Sequence, residues 1–188
     1  MTRVPIHSVL TAPAPSRPAL EAVAAKAGRV LNIHGAMAHS PLLLDLYTSI
    51  ERLLAERSSL GEQVRQAIHL TVAAVNDCDY CQSAYTGAAR ATGFTVEETI
   101  EIRRGFVTGR PDLTALLRLS REIAERRGHV DGATWETALA AGWSEEQLLE
   151  AYAEVVRTIF TNYFNHLVET EMDLPPAPPI APRFVKEG

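Results

Sequence analysis

The chain has 188 residues, of which 46% are hydrophobic and 22% charged, as expected for a single folded domain with its own core. Its formal net charge of -5 offers no basic surface for nucleic acid, and no apolar run reaches the roughly 18 residues of a membrane-spanning helix. The first residues lack the apolar core of a signal peptide, so we expect a cytoplasmic protein that binds neither nucleic acid nor membranes.

Proline-rich segments at the two ends divide the chain into three parts. Residues 1–17 contain three prolines and no periodicity, which predicts an extended N-terminal arm. Residues 18–171 show helical periodicity and predict one helical domain. Residues 172–188 are again proline-rich and predict an extended tail along the surface or against a neighbouring subunit. Strand-like alternation is nearly absent, so the predicted fold class is all-α.

In the first half of the domain, a helix is predicted over 18–27, followed by a short helix or loop over 28–40. Ser40 and Pro41 then open a longer helix. The apolar residues at helical spacing in that helix are Leu43, Leu46, Tyr47, Ile50 and Leu53. Gly61 precedes a helix over 62–75, and a turn at Asn76-Asp77 leads into a helix from about 78 to 92.

In the second half, Thr95 with Glu98, and Ser144 with Gln147, form capping boxes. They open a short helix ending near 104 and a long helix over about 145–170; between them, helices are predicted over 111–127 and 133–141. The apolar face of the last helix consists of Leu148, Tyr152, Val155, Val156, Ile159, Tyr163 and Leu167. The apolar surface of this face and of the tail is larger than a small bundle can bury internally. The sequence therefore predicts a homo-oligomer, most plausibly a trimer, dimer or hexamer.

Both cysteines of the chain, Cys78 and Cys81, lie in one C-x-x-C motif. One helical turn apart, their sulfurs can come close enough to bridge, which suits a reversible dithiol–disulfide couple. A helix N-terminus lowers the pKa of a nearby thiol, so the preceding turn favours Cys78 as the more acidic of the two. The simplest alternative is a pair of small buried hydrophobic residues.

Zinc binding is the other alternative for a C-x-x-C motif. A structural zinc site needs four ligands, so two further ligands would have to accompany the two cysteines. The one suitably spaced histidine pair, His34 and His39, lies in a different segment and nothing in the sequence connects it to the cysteines. We therefore predict no metal site.

The segment LTVAAVNDCDYCQSAYTGAARATGFTVEETIEI, residues 70–102, resembles the alkylhydroperoxidase D-like, carboxymuconolactone decarboxylase superfamily. The matching positions are Asn76, Cys78, Tyr80, Cys81, Ala84 and the small residues 87–89, and the later N-Y-F-N-H-L segment, 162–167, matches the last helix of many members. The resemblance implies an all-helical oligomeric thiol peroxidase without bound cofactor. It further implies that Cys81 attacks a hydroperoxide, that Cys78 closes a disulfide, and that a dithiol protein or lipoyl group is the reductant.

Two positions depart from the family pattern. Gln66 stands where the family has a glutamate, and Tyr85 where it has a histidine; both are proton-relay positions. A glutamine amide does not accept a proton at neutral pH, and a tyrosine with a pKa of about 10 is a weak base. General acid–base catalysis contributes about 10²–10⁴-fold in rate. The two departures therefore predict a slow peroxidase, an enzyme with a different substrate, or a site that has lost its catalytic activity. His69, one turn after Gln66, is a candidate replacement base, and His166 is a second.

The first functional hypothesis is therefore a thiol-dependent antioxidant oxidoreductase that reduces hydroperoxides. Its candidate site residues are Cys78, Cys81, Tyr85, Gln66 and His69. The alternatives are a carboxymuconolactone-decarboxylase-like small-molecule enzyme, in which the dithiol is incidental, and a catalytically weak binding protein on the same fold.

Overall fold

The structure is a computed structural model that describes residues 2–180, and in this range all the regular secondary structure is helical. A 3₁₀ turn at Ala14–Ser16 precedes nine α-helices. These are α1 Arg17–Ala27, α2 Asn32–Met37, α3 Pro41–Arg57, α4 Glu62–Val75, α5 Asp79–Ala91, α6 Val96–Arg103, α7 Pro111–Glu125, α8 Gly132–Ala140 and α9 Glu145–Val168. The predicted all-α fold is confirmed. None of the helices in this range is long and apolar enough to cross a lipid bilayer.

The helices begin at the capping residues that the sequence indicates. The Ser40 side chain accepts a hydrogen bond from the Leu43 amide at the start of α3. Reciprocal capping boxes are formed by Thr95 with Glu98 at α6 and by Ser144 with Gln147 at α9. Each satisfies backbone N–H groups that have no partner inside the helix, which explains why these three boundaries were predictable from local sequence.

Helix α4 is the centre of the bundle and packs against α5, α6, α7 and α9. Every residue from 67 to 73 is buried, so the helix is enclosed on all sides rather than along one stripe. Polar residues within this stretch, His69 and Thr71, therefore have to find partners inside the protein. Thr71 donates to the Ile102 carbonyl at 2.9 Å, and His69 belongs to the site described below.

Only part of the predicted apolar stripe of α3 is buried. Leu44 and Tyr47 are buried, whereas Leu46 and Leu53 are 48% and 40% exposed. Helical spacing groups residues on one side, but α3 lies at the edge of the bundle, and only the tertiary arrangement decides which neighbouring rows are covered. Part of the predicted apolar face of α9 is also exposed, because Tyr152, Tyr163 and Leu167 each expose more than half of their surface.

The N-terminal arm runs back over α2 and α9. The Arg3 amide donates to the Val168 carbonyl at 2.7 Å, and the His7 amide donates to the Gly35 carbonyl at 3.0 Å. A Cβ atom at Gly35 would lie 2.6 Å from the His7 carbonyl oxygen, so only glycine allows the arm to approach α2 this closely. The arm is thus held by backbone contacts that its sequence does not indicate.

Residues 169–180, the described part of the predicted tail, lie against the same chain. The Ala177 amide donates to Ser83 Oγ on α5 at 3.2 Å, and Arg103 donates to the Pro178 carbonyl. The tail segment thereby covers part of the helix that carries Cys81. The remainder of the predicted tail, residues 181–188, lies outside the described residues.

Candidate active site

A tight turn between α4 and α5 sets the position of both cysteines. The Cys78 amide donates to the Ala73 carbonyl at 3.1 Å and the Asp77 amide to the Ala74 carbonyl at 3.3 Å, which is the hydrogen-bond pattern of a Schellman motif. Asp77 has φ +50°, a left-handed conformation that aspartate tolerates better than most residues. Cys78 is therefore the N-cap of α5, and Cys81 lies in its first turn.

The two sulfur atoms are buried and share one amide donor from α9. Cys78 is 1% exposed and Cys81 is 2% exposed, and neither forms a disulfide in the structure. Asn165 Nδ2 lies 3.1 Å from Cys81 Sγ and 3.9 Å from Cys78 Sγ. Thr161 Oγ1 lies 3.9 Å from Cys81 Sγ. The site thus combines a reduced dithiol with polar groups directed at its sulfurs, mostly at Cys81.

These contacts separate the acidities of the two thiols. The Cys78 thiol donates to Cys81, and with the Asn165 and Thr161 donors it lowers the pKa of Cys81 to about 7 against the opposing effect of burial. Asn162 acts in the same direction, although its amide nitrogen makes no well-formed hydrogen bond. The pKa of Cys78 is raised, because its proton is held in the hydrogen bond to Cys81 and because it is buried.

The expectation that Cys78 is the more acidic thiol is therefore wrong. The helix N-terminus acts on both thiols, since they lie at the N-cap and in the first turn. What distinguishes them is the set of donors supplied by α9, which the local sequence around the C-x-x-C motif does not contain. Cys81 is the more acidic of the two thiols, with its pKa lowered to about 7.

Tyr85 belongs to a hydrogen-bond chain that ends at Cys81. Arg157 donates to Tyr85 Oη, and Tyr85 Oη lies 3.2 Å from Thr161 Oγ1, which in turn approaches Cys81 Sγ. Burial raises the pKa of Tyr85 well above its usual value, so the phenol stays protonated. Tyr85 therefore cannot serve as a base at neutral pH, but it can donate to Thr161 while accepting from Arg157.

Arg157 is the buried cation at the start of this chain. Its guanidinium carbon lies 5.7 Å from the ring centroid of Tyr47 and 5.3 Å from that of Tyr85, and it pairs with the Glu51 carboxylate. Arg157 also lowers the pKa of Glu51, whose burial alone would raise it. The positive charge is thus fixed between two aromatic rings by a carboxylate from α3.

His69 is paired with a carboxylate rather than with a thiol. Its Nε2 lies 2.6 Å from Glu154 Oε2, and Arg65 donates to the other oxygen of Glu154. Burial lowers the pKa of His69 despite this carboxylate, so the imidazole is neutral and donates through Nε2. Its ring packs on Tyr85 with centroids 5.1 Å apart, and its Nδ1 has no partner among the described residues. No hydrogen bond joins His69 to either cysteine in the described structure.

Gln66 is placed on the same side of α4 as His69 but makes no hydrogen bond to a thiol. Its Oε1 is buried without a partner among the described residues. The second candidate base, His166, is exposed on α9 and lies away from the buried dithiol. Of the five candidate residues, the structure brings Cys78, Cys81 and Tyr85 into one hydrogen-bonded group, and it connects His69 to that group by ring contact only.

Tyr80, which lies between the cysteines in sequence, anchors the tail. Its hydroxyl donates to Asp173 Oδ1 at 2.7 Å and accepts from the Ile33 amide at 3.3 Å. Arg29 pairs with the same Asp173 carboxylate at 3.2 Å. Tyr80 therefore helps to hold the segment after α9 beside α5.

The residues that sequence reasoning missed come mainly from α9. Glu154, Arg157, Thr158, Thr161 and Asn165 are all buried. Apart from the adjacent Arg157 and Thr158, successive members are three or four residues apart, so they form a polar stripe on the buried side of α9. Buried polar side chains at helical spacing were the available signal, since such groups need partners.

The histidine pair considered for zinc is also separated. His39 stacks on His7 with ring centroids 5.6 Å apart, whereas His34 packs against Tyr47 with centroids 5.5 Å apart. Across residues 2–180 no cluster of three or more histidine, cysteine or acidic side chains is arranged to hold a metal ion.

The acidity of Cys81 gives a direct prediction. Alkylation of the reduced protein by iodoacetamide should modify Cys81 before Cys78 and reach half its maximal rate near pH 7, because the thiolate is the reactive form. Replacing Asn165 with leucine removes a donor to the thiolate and should raise that midpoint by about one pH unit. Peptide mass mapping of the alkylated sites across pH measures both effects.

Ser83→Ala is the matched control, because Ser83 lies on α5 but bonds the tail rather than a sulfur. Its midpoint should equal that of the wild type. Preferential labelling of Cys78, or an unchanged midpoint in Asn165→Leu, would contradict the assignment of Cys81 as the acidic thiol.

Comparisons with known proteins agree with one another on the fold. The model of the carboxymuconolactone decarboxylase family matches residues 41–108, which span α3 to α6 and contain both cysteines. The comparison with curated proteins gave no match.

Several solved structures superpose over almost the whole chain. The alkylhydroperoxidase AhpD core of a peroxidase-related protein from Ralstonia eutropha is 19% identical, covers 92% of both chains and has a TM-score of 0.82. The debrominase Bmp8 in complex with 2,3,4-tribromopyrrole is 15% identical over 92% of both chains, with a TM-score of 0.78. A peroxidase-related protein from Silicibacter sp. is 18% identical, with 93% of this chain and 91% of that chain covered and a TM-score of 0.73.

Proposed function

Because this chain belongs to the alkylhydroperoxidase D-like, carboxymuconolactone decarboxylase superfamily, we propose that it is a thiol-dependent oxidoreductase that reduces hydroperoxides through Cys78 and Cys81. The observation that carries the proposal is the pairing of an acidic Cys81 with a protonated Cys78 that donates to it. The thiolate of Cys81 is the form of cysteine that attacks a peroxide, and Cys78 is the thiol that can then form a disulfide with the oxidised Cys81.

The reaction follows from these two protonation states. The Cys81 thiolate attacks one peroxide oxygen, so that an S–O bond forms and the O–O bond breaks; the leaving alkoxide takes up a proton and departs as an alcohol. Cys81 is then a sulfenic acid. Cys78 attacks its sulfur, water leaves, and the disulfide forms. A dithiol reductant, such as a dithiol protein or lipoyl group, restores both thiols by exchange and is itself oxidised to a disulfide.

The protein's own residues supply what a thiol peroxidase needs at the sulfur. Asn165 stabilises the Cys81 thiolate by donating a hydrogen bond to it, and Thr161 Oγ1 lies 3.9 Å from the same sulfur. The chain from Arg157 through Tyr85 ends at the same Thr161, so a fixed positive charge polarises the donors around Cys81. This arrangement stabilises the charge on Cys81 without a glutamate at position 66 or a histidine at position 85, although it supplies no proton acceptor. A cytoplasmic location would keep both thiols reduced between turnovers.

The proposal is tested by titrating the reduced protein with hydrogen peroxide and with an organic hydroperoxide. Loss of free thiols and formation of a Cys78–Cys81 disulfide are followed by intact mass and peptide mapping. Stoichiometric disulfide formation faster than oxidation of free cysteine supports the proposal, and a rate no faster than free cysteine rejects it.

A second candidate, a small-molecule enzyme whose substrate is not a peroxide, is favoured by Gln66 and Tyr85, because neither can act as a base at neutral pH. Bmp8, which is named as a debrominase, shares this fold. A substrate whose turnover survives serine substitution of both cysteines would support this candidate.

The exposed side of α9 supports a homo-oligomer. Leu149, Tyr152, Val156, Tyr163 and Leu167 are between 44% and 66% exposed and follow helical spacing, so they form one apolar stripe. We expect light scattering at micromolar concentration to give a multiple of the 20.6 kDa chain mass. Glutamate at both Tyr163 and Leu167 should reduce the mass to that of one chain, because charges within an apolar interface are costly.

Ala91→Glu is the control, because it adds a negative charge at an exposed position of α5 rather than of α9 and should leave the mass unchanged. A single-chain mass for the wild-type protein would reject the oligomer.

A further inference from the structure

The turn between α4 and α5 directs one side chain across to α9. Asn76 is the C-terminal cap of α4, and its Nδ2 donates to Asn162 Oδ1 on α9 at 2.8 Å. The backbone of Asn76 has φ -89°, which most residues adopt, so the turn itself does not require an asparagine here. The side chain of Asn76 therefore has a role that its position in the turn does not account for.

The hydrogen bond from Asn76 fixes which end of the Asn162 amide faces the dithiol. An asparagine side chain carries a carbonyl oxygen on one side of its planar amide and an NH₂ group on the other. Because Asn76 holds the oxygen of Asn162, the nitrogen is turned the other way. Asn162 is fully buried, and its Nδ2 makes no hydrogen bond within the described chain. Helix α9 thus carries an oriented N–H donor that has no partner in the reduced structure.

This donor acts on Cys81. Asn162 is one of the side chains that lower the pKa of Cys81, and only the nitrogen end of the amide can do so, because a carbonyl oxygen would disfavour the thiolate. Asn165, one helical turn further along α9, already donates to the same sulfur at 3.1 Å. A buried N–H group without a partner costs free energy, and a thiolate on Cys81 is an acceptor that satisfies it.

We propose that Asn76 is a positioning residue for the dithiol: it holds the Asn162 amide with its nitrogen directed at Cys81, so that Asn162 and Asn165 together receive the negative charge of the thiolate. Asn76 acts through Asn162, since no hydrogen bond of the described structure joins Asn76 to either sulfur. Its importance for hydroperoxide reduction rests on the proposed function, whereas its effect on the Cys81 thiolate does not.

Replacing either asparagine with alanine leaves the charges around Cys81 in place, because an amide does not ionise. The titratable and charged groups around Cys81 come from four helices: Cys78, Tyr80 and Tyr85 of α5, Tyr47 of α3, Arg157 of α9 and His69 of α4. A change in the acidity of Cys81 in an alanine variant therefore reports a lost hydrogen bond rather than a lost charge.

The test is the pH at which iodoacetamide alkylates Cys81 at half its maximal rate, measured on the reduced full-length protein by peptide mass mapping. The wild-type midpoint is expected at about pH 7. Asn162→Ala removes the donor and should raise the midpoint by about one pH unit, whereas Asn76→Ala only releases the donor and should raise it by about half a unit. The double variant should match Asn162→Ala, because Asn76 then has no amide to position.

Asn32→Ala is the matched control. Asn32 is also half-buried and its amide also donates one hydrogen bond, but to the Glu171 carbonyl rather than towards the dithiol. Its midpoint should equal that of the wild type. Asn76→Leu, which has a similar volume but no donor, serves where the alanine variant fails to fold. An unchanged midpoint in the Asn76 variants, or a double variant that shifts by the sum of the two single shifts, overturns the proposal.

The same variants separate the role of Asn76 from the proposed function. If Cys81 is the attacking thiol, oxidation by tert-butyl hydroperoxide should be about twofold slower in Asn76→Ala than in the wild type at pH 7, and equal at about pH 9, where Cys81 is ionised in both. An equal loss at both pH values overturns the positioning role, because structural damage alone would not depend on pH. Absence of oxidation in the wild type rejects the proposed function, while the alkylation midpoints still decide the role of Asn76.

Discussion

Replacing Cys81 with serine is expected to abolish hydroperoxide-dependent thiol oxidation. The ionised sulfur is lost, the remaining Cys78 has a raised pKa, and a serine hydroxyl at neutral pH is not a comparable nucleophile. Loss of a covalent nucleophile costs on the order of 10³-fold or more. The rate of thiol loss, followed by stopped-flow mixing with an organic hydroperoxide, should fall to that of an unreactive buried cysteine.

Cys78→Ser is the matched partner of this variant and separates attack from resolution. It should still consume about one equivalent of hydroperoxide and leave Cys81 as a sulfenic acid, which dimedone traps, but it should form no intramolecular disulfide. The serine hydroxyl can still donate to Cys81, so the acidity of Cys81 should be largely retained. If Cys78→Ser were inert and Cys81→Ser formed a trapped sulfenic acid, the roles of the two cysteines would be reversed.

Removing the carboxylate of Glu154 is expected to destabilise the fold more than any single surface change. Glu154 is fully buried and neutralises Arg65, while its second oxygen accepts from His69. Truncating one member of a buried ion pair leaves the other charge uncompensated and costs about 3–5 kcal/mol. Since domains are stable by about 5–15 kcal/mol, Glu154→Ala should lose a large part of its free energy of unfolding in urea.

Glu154→Gln keeps the volume and one acceptor, so it should lose less than Glu154→Ala and remain folded for measurement. Glu136→Ala, an exposed carboxylate on α8, is the control and should change the free energy of unfolding by less than about 0.5 kcal/mol. Equal stability of Glu154→Ala and this control would show that the buried group contributes no net stability.

The contribution of Glu154 should also depend on pH. Burial raises its pKa, but the hydrogen bonds from His69 and Arg65 and the positive charge of Arg65 outweigh burial, so that the pKa is lowered in the folded state. The carboxylate therefore stabilises the fold above the unfolded-state pKa of about 4.3, and this stabilisation is lost as the pH falls through the lowered value. The difference in unfolding free energy between wild type and Glu154→Gln should accordingly be constant near neutral pH and shrink in acid.

The sequence by itself determined the helices and the position of the dithiol. Capping residues such as Ser40, Thr95 and Ser144 act within one helical turn, so their effect can be read from neighbouring residues. The C-x-x-C spacing is equally local, because two residues one turn apart on a helix that begins at Cys78 have to lie close together. The resemblance to the superfamily is likewise carried by a continuous segment, residues 70–102, and the family model matches residues 41–108, which include it.

Only the tertiary structure decided which cysteine is acidic and what surrounds it. Asn165 and Thr161 reach Cys81 from a helix about 80 residues further along the chain, and Arg157 reaches Tyr85 in the same way. A thiol pKa depends on donors within a few ångströms in space, and sequence separation carries no information about that distance. The helix-terminus argument therefore selected Cys78, whereas the donors that α9 directs at Cys81 lower its pKa instead.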